Sequence, residues 1–332
     1  MNISLLNSHP VFVLGMNGSG TTMLLDCLNG HPDLFGFRRE TKILPYFIQS
    51  SQKYGDLSKD KNFKKMWDDF RRMSCFKYVN NGKAVPLPED WPDTPRNVAG
   101  VIDRTFLYFA DKEGKSRWCE KTPMHAQHIC LLARTFPEAR FIHIIRDGRA
   151  CAASFHRRWR YTPELTIYRW KSIALEARRQ GQTIPDRYFE LRYEDLTDSP
   201  ETWLKKLCDF LQIPDDRRMV TLSRVRKHSG SSESKITRRS EYWRDYFTPQ
   251  KLEALEQIAG KALHNLGYST DNPDRDDDPS WIRIKYWTYK DNIRQGLHYI
   301  RKEMSRGKRH GKWTDLSERI LDAIRQRISN RI

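Results

Sequence analysis

The sequence predicts a three-layer α/β fold built on a central parallel sheet, with a helical extension at the C-terminus. Three observations carry this expectation. Short apolar runs at Val11–Leu14, Ala139–Ile145 and Tyr188–Arg192 have the length and composition of buried strands. Each is followed by a stretch with helical periodicity, and strands alternating with helices build parallel sheets. A polar, acidic segment over 269–280, with two prolines, separates this pattern from a basic, helical tail. The expected division is a domain over 1–275 and an extension over 281–332.

The elements follow in order. Val11–Leu14 leads into the glycine-rich turn Gly15-Met16-Asn17-Gly18-Ser19-Gly20-Thr21-Thr22. Thr21–Leu28 then places Met23, Leu24, Cys27 and Leu28 on one helical face and stops at Asn29-Gly30. Helices are expected at about 60–73, 97–112, 125–135 and 164–180. Lys83–Arg96 holds four prolines and reads as a loop. The strand over 139–145 ends in Arg146-Asp147-Gly148 and feeds a helix to Trp159. Tyr188–Arg192 is followed by Tyr193-Glu194-Asp195-Leu196 and a helix over 200–211. Pro249–Leu266 reads as a helix closed by Gly267. The tail reads as two helices split by a basic hinge, Arg306–Lys312. The second helix carries Trp313, Leu316, Ile320, Leu321, Ile324 and Ile328 on one face.

Composition narrows the function classes. A chain of 332 residues can bury a sizeable core. No apolar run reaches the ~18 residues of a membrane span. The first residues lack the basic start and apolar run of an export signal, which implies a cytoplasmic protein. Six cysteines stand singly, with no C-x-x-C pair, so free thiols and no metal site are expected. The net charge is +17, and the last 52 residues hold 14 Lys/Arg against five Asp/Glu. Such a chain attracts polyanions. No zinc finger, RRM or helix-turn-helix pattern accompanies the charge, so nucleic acid is not the expected partner. The basic tail could touch an anionic membrane peripherally, or it could pack on the core or pair subunits.

The turn over Gly15–Thr22 carries chemistry. Its glycines let backbone N–H groups face an anion, and the helix N-terminus adds partial positive charge. This makes the fold P-loop-like. Gly15, Gly20 and Thr22 fit the nucleoside-triphosphate pattern G-x-x-x-x-G-K-[ST], but Thr21 stands where that pattern needs lysine. No convincing aspartate for magnesium is visible either. A kinase or nucleotidase is therefore the weaker alternative, and a donor with a single 5′-phosphate group the better one.

The turn GSGTT, together with RDGRACAASF, EKTP, RYEDL and a closing LGY in that order, resembles the sulfotransferases that use 3′-phosphoadenylyl sulfate (PAPS). The nearest pattern is that of the tyrosylprotein-type and related bacterial enzymes, over about residues 10–268. The resemblance implies that Asn17, Gly18, Ser19, Gly20, Thr21 and Thr22 hold the 5′-phosphosulfate, and that Arg146 and Ser154 hold the 3′-phosphate. Arg146 at a strand end and Ser154 two turns along the next helix suit phosphate recognition. Arg149 is a further basic candidate or a partner of Asp147. Tyr193 matches an aromatic near the adenine, although an aromatic there serves equally as core. Lys235, with Arg238 and Arg239, matches a late basic loop over the 3′-phosphate.

For the chemistry, the resemblance implies Glu40 as the base, Lys42 where the family has arginine, and Lys121 directed at the sulfuryl group. Arg38 and Arg39 are further cations. Gly18 departs from the family, which has Arg or Lys there. Either another cation substitutes, with Lys121 first, or catalysis is weaker. His125 is the rival base, since an imidazole titrates near neutrality. His31 and His143 read as structural. The expected acceptor is a hydroxyl on a glycan, glycolipid or small molecule, with a protein tyrosine as the alternative. Residues 45–115 are expected to form the acceptor side.

Overall fold

A computed structural model describes residues 8–220 and 241–310, with side chains described as far as residue 297. Five strands form one sheet: β1 (Val11–Leu14), β2 (Leu34–Phe37), β3 (Arg117–Lys121), β4 (Arg140–Ile145) and β5 (Tyr188–Arg192). Their order is β2-β3-β1-β4-β5 and every pairing is parallel. The helices are α1 (Thr21–Asn29), α2 (Leu44–Gln49), α3 (Asp60–Arg71), α4 (Ser74–Val79), α5 (Val98–Asp111) and α6 (Ile129–Thr135). They continue with α7 (Gly148–Trp159), α8 (Pro163–Gly181), α9 (Tyr193–Asp198), α10 (Pro200–Leu211), α11 (Trp243–Tyr246), α12 (Pro249–Asn265) and α13 (Trp281–His310).

The side chains of a strand alternate between its two faces, and here both faces are buried. One face sends Val11, Val13, Cys119, Ile142 and Ile144 against Leu24, Leu28, Leu204 and Leu207 of α1 and α10. The other sends Phe12 into an aromatic cluster. Its ring lies 5.6 Å from Trp118, 5.7 Å from Phe136 and 5.3 Å from Phe141, and Phe106 of α5 stacks on Trp118 at 4.4 Å. Burying one such ring stabilises by about 2–3 kcal/mol. Helices on both faces of a parallel sheet make the three layers that the sequence predicts.

Two strands escape the sequence pattern. β2 is four residues long and contains Gly36. β3 reads Arg-Trp-Cys-Glu-Lys, and three charges in five residues argue against a buried strand. Tertiary partners reverse that argument. Arg117 donates to the carbonyls of His9 and Leu211, Glu120 accepts from two threonines, and Lys121 pairs with Glu40. A buried charge is tolerated when its hydrogen bonds are made.

Further differences are local. The segment expected to be helical from 125 opens as a 3-10 turn, Pro123–His128, because Pro123 fixes the entry and His125 turns its ring inward. In the tail, α13 runs through the first part of the expected hinge to His310. Lysine and arginine are good helix formers, and Gly307 costs only ~1 kcal/mol. The second tail helix lies outside the described residues.

The described residues divide into two compact units. One comprises residues up to 151 with 170–245, and the other 152–169 with those from 246 on. The sheet belongs to the first. In the second, the Asp291 carboxylate of α13 accepts from the Thr162 N–H at 2.9 and 3.1 Å and from its hydroxyl at 2.7 Å, at the start of α8. On α12, Glu256 accepts from Thr270, Asp271 and Asn272 and so anchors the segment that follows.

Candidate active site

The chain reverses its direction across the sheet at β1, with β3 on one side and β4 on the other. Ligands of open parallel sheets bind at the carboxyl ends of strands near such a point. The turn after β1 sits there. Gly15, Gly18 and Gly20 have φ of +147°, +93° and +99°. The Ser19 N–H and hydroxyl both donate to the Met16 carbonyl, at 3.0 and 2.6 Å, and close the turn. Gly20 is the N-cap of α1 and supplies no side-chain cap. The first-turn N–H groups, those of Thr21 and Thr22 among them, are therefore available to an anion.

Loops from three strands surround this turn. The Gly15 N–H meets the Pro123 carbonyl, after β3, at 3.4 Å. Arg146, at the end of β4, donates to the Gly18 carbonyl at 3.2 Å, and its guanidinium lies 4.4 Å from the centre of the Tyr193 ring. Tyr193, just past β5, is both core and wall. It belongs to the apolar cluster under the sheet, and its ring lies 2.5 Å from where a Gly20 Cβ would stand. Gly20→Ala should therefore cost about 2–3 kcal/mol, from the positive φ and the clash together, seen as a lower thermal midpoint.

The second group lies at the ends of β2 and β3. Glu40 accepts from Lys121 Nζ at 2.9 Å, and Lys42 Nζ is 3.7 Å from its other oxygen. Lys121 is buried, Glu40 is half-buried and Lys42 is exposed. Lys121 joins Glu40 and Lys42 only through the sheet, since it lies 81 positions from Glu40 in the sequence. Arg38 is engaged by Asp26 at 2.7 Å, and Arg39 stacks over Tyr78 at 4.4 Å. Of the basic candidates near Glu40, Lys121 is the one locked against it.

A network missed by the sequence holds the Glu40 loop. Glu120 and Lys121 are neighbours on β3 and so face opposite sides of the sheet. Glu120 Oε1 accepts from the Thr41 hydroxyl at 2.9 Å and the Thr122 hydroxyl at 2.5 Å. The Thr122 oxygen in turn accepts the N–H groups of Thr41 at 3.0 Å and Lys42 at 3.4 Å. This fixes Lys42 at φ +59°, a region that residues other than glycine seldom adopt. The strand end thus grips Glu40 from one face and its neighbour Thr41 from the other. Hydroxyls carry no periodic signal, so no pattern announces this network. The EKTP block was its only trace.

His125 completes the network. Its Nδ1 is 3.1 Å from Glu120 Oε2, and its Nε2 is buried with no hydrogen-bond partner. Burial by itself raises the Glu120 carboxyl. The imidazole charge and the hydrogen bonds from His125, Thr122 and Thr41 outweigh it and hold the group below the usual carboxylate range. Because the folded value is depressed, the stability it contributes is present above the unfolded value, near pH 4.3, and is lost as pH falls through the folded one. Glu120→Gln should destabilise by roughly 2–3 kcal/mol at neutral pH. Urea unfolding at stepped pH should show that gap closing in acid.

The remaining candidates fall as follows. Arg149 pairs with Asp147 at 2.7 Å and stacks on Trp243 at 4.0 Å. Ser154 is buried on α7, in the second unit. Lys235, Arg238 and Arg239 lie outside the described residues. His31 is structural: its Nε2 meets the Pro214 carbonyl at 3.0 Å and its Nδ1 accepts from the Asp33 N–H. His143 is a satisfied core residue against the Tyr188 hydroxyl at 2.6 Å. All six cysteines are free, and burial pushes Cys27, Cys119 and Cys151 up to about 12, which removes them as nucleophiles.

Comparison with known proteins agrees with this architecture. A domain superposing on this chain is the "Sulfotransferase Domain from the Curacin Biosynthetic Pathway", with a TM-score of 0.54 and 20% identity over 80% of this chain and 99% of that one. At that identity the likeness bears on the fold. Protein-tyrosine sulfotransferase 1 of Danio rerio is 26% identical over 261 residues, 76% of this chain and 66% of the relative. The Drosophila melanogaster protein-tyrosine sulfotransferase is 26% identical over 262 residues, 76% of this chain and 47% of its own. The human protein-tyrosine sulfotransferase 1 is 25% identical over 262 residues, 76% and 63%. The chain thus spans between about half and two-thirds of the length of these relatives. The model of the sulfotransferase family matches residues 10–217, from the first residue before β1 through α10. That span holds the whole sheet, the glycine turn and the Glu40–Lys121 pair, and on it the chain belongs to the sulfotransferase family.

Proposed function

We propose that this protein transfers a sulfuryl group from PAPS to an acceptor hydroxyl, with Glu40 as the base. The observation that carries the reading is the Glu40–Lys121 pair, held at 2.9 Å at the same carboxyl end of the sheet as the glycine turn. The residues present fit the donor. A Cβ at Gly15 would stand 2.4 Å from the Ile144 carbonyl and one at Gly20 2.5 Å from Tyr193, so the turn is a backbone cradle with no room for side chains. The Asn17 Oδ1 is buried without a partner inside it.

Ser19–Thr22 would hold the 5′-phosphosulfate and Arg146 the 3′-phosphate; the family resemblance adds Ser154 and Lys235 as candidates. The donor supplies an activated sulfuryl group whose S–O bond to the 5′-phosphate breaks as the acceptor oxygen bonds to sulfur. Glu40 takes the proton from that acceptor oxygen. Lys121 orients the carboxylate and, with Lys42, places positive charge where the leaving phosphate gains negative charge. This arrangement supplies the cation that Gly18 lacks. The network of Glu120, Thr41 and Thr122 holds Glu40 in place.

The acceptor side is formed by α2–α5, over residues 45–115, beyond the Glu40 loop. A glycan or lipid-linked hydroxyl is one acceptor class. The names of the relatives favour a second, the phenol of a protein tyrosine. Acceptor screening with a tyrosine peptide beside a sugar and a small phenol separates them. The donor site is tested first, by metal-free calorimetry with 3′,5′-adenosine bisphosphate. The bisphosphate should bind tightly, with ADP and ATP–Mg at least about 10-fold weaker, as expected when the P-loop lysine is absent. Equal binding of all three, or none, would refute the reading.

A further inference from the structure

The first five turns of α13 have two unlike faces. Trp287 and Asp291 face inward and are buried, and Asp291 is consumed by Thr162. On the opposite side Ile282, Tyr286, Tyr289, Ile293 and Leu297 are 44–66% exposed. Their spacing of four, three, four and four keeps them in one stripe, about 22 Å long at 1.5 Å per residue. Trp281 is exposed at its start. The other charged residues of this stretch, Arg283, Lys285, Lys290 and Arg294, are all cations. Lys285 lies 4.6 Å from the Trp281 ring and Lys290 5.8 Å from the Tyr286 ring.

We infer that this stripe is a docking surface for an anionic lipid bilayer. Aliphatic and aromatic side chains on one face, cations beside them and a packed opposite face describe a helix that lies in the headgroup plane. Tyrosine and tryptophan suit that depth, and the lysine and arginine stems reach the phosphates. The sign of the charge selects this occupant. A second copy would bring four cations against four. Residues 311–332 of the same chain hold five Lys/Arg and three Asp/Glu, so they too are basic. A surface of anionic headgroups complements the stripe, and basic residues near it add attraction. Lys290 and Arg294 also line a cavity of about 450 Å³ with Lys251, whose charge is paired by Glu164. That leaves a basic recess on the flank of the stripe. No helix among the described residues is long and apolar enough to cross a membrane.

The test is co-sedimentation of the full chain with vesicles. Binding should be at least about 10-fold tighter to vesicles of about one-third phosphatidylserine than to pure phosphatidylcholine, and should weaken with salt. The triple variant Ile282→Glu/Tyr289→Glu/Ile293→Glu alters only exposed positions and should lose that preference. Arg283→Glu/Lys285→Glu should lose it in part. Thermal unfolding checks that both variants fold, independently of any activity. Equal binding to the two vesicle types, or none, overturns the inference. So does a dimer in sedimentation equilibrium that the triple variant dissolves, because the stripe is then covered by a second copy.

Discussion

Glu40→Gln should bind 3′,5′-adenosine bisphosphate as the unsubstituted protein does and lose turnover by about 10²–10⁴-fold, the range a positioned general base supplies. The substitution preserves shape. The amide oxygen can still accept from Lys121, which sits 2.9 Å from the Glu40 carboxylate, so the loop keeps its anchor. The glycine turn and Arg146 are untouched. What disappears is the group that can accept the acceptor's proton. Single-turnover sulfate transfer, with calorimetry on the same preparation, separates the two quantities. If turnover persists, the base is elsewhere, and His125 is next in line. Its Nδ1 is held by Glu120 and its Nε2 is without a partner, the arrangement of an oriented imidazole base. In that event His125→Ala should carry the loss instead.

Arg146→Ala should weaken bisphosphate binding by about 10²-fold, because a guanidinium–phosphate fork is worth roughly 3 kcal/mol. The residue also braces the site, through the Gly18 carbonyl at 3.2 Å and the Tyr193 ring at 4.4 Å. Two contributions are therefore mixed in the alanine variant. Arg146→Lys separates them. It keeps the charge and loses the fork, so it should recover only part of the affinity. Unchanged affinity in Arg146→Ala, with normal thermal unfolding, would remove Arg146 from the donor site. A loss confined to stability would leave it a bracing residue only.

The legible part of the site is the part written in backbone-forming residues and charges. Gly15, Gly18 and Gly20 mark a turn because only glycine adopts those positive φ values without cost. Arg146 is legible because it ends an apolar strand. Glu40 and Lys121 are each legible within a block, EKTP for the lysine and the segment around Glu40 for the carboxylate. Their mutual distance is not, since it depends on which strands are neighbours.

The illegible part is where polar residues satisfy one another. β3 hides because its charges look like a surface segment until Arg117, Glu120 and Lys121 find partners from other parts of the chain. Glu120 and His125 hide for the same reason. The Thr41 and Thr122 hydroxyls that fix the Glu40 loop have no sequence period at all. In the tail, the sequence shows a first helix rich in cations but assigns it no face, and burial of Trp287 and Asp291 decides which side of α13 packs.

By itself, then, the sequence determined the layer class, the glycine turn and the family, and nominated the chemical groups. These depend on local periodicity, on φ and on residue type, all of which are properties of short segments. The tertiary structure alone decided the strand order, the pairing of Glu40 with Lys121, the support beneath Glu40 and the exposed stripe of α13. Those depend on contacts across many tens of residues, where a buried charge is either paired or excluded, and only the folded chain says which.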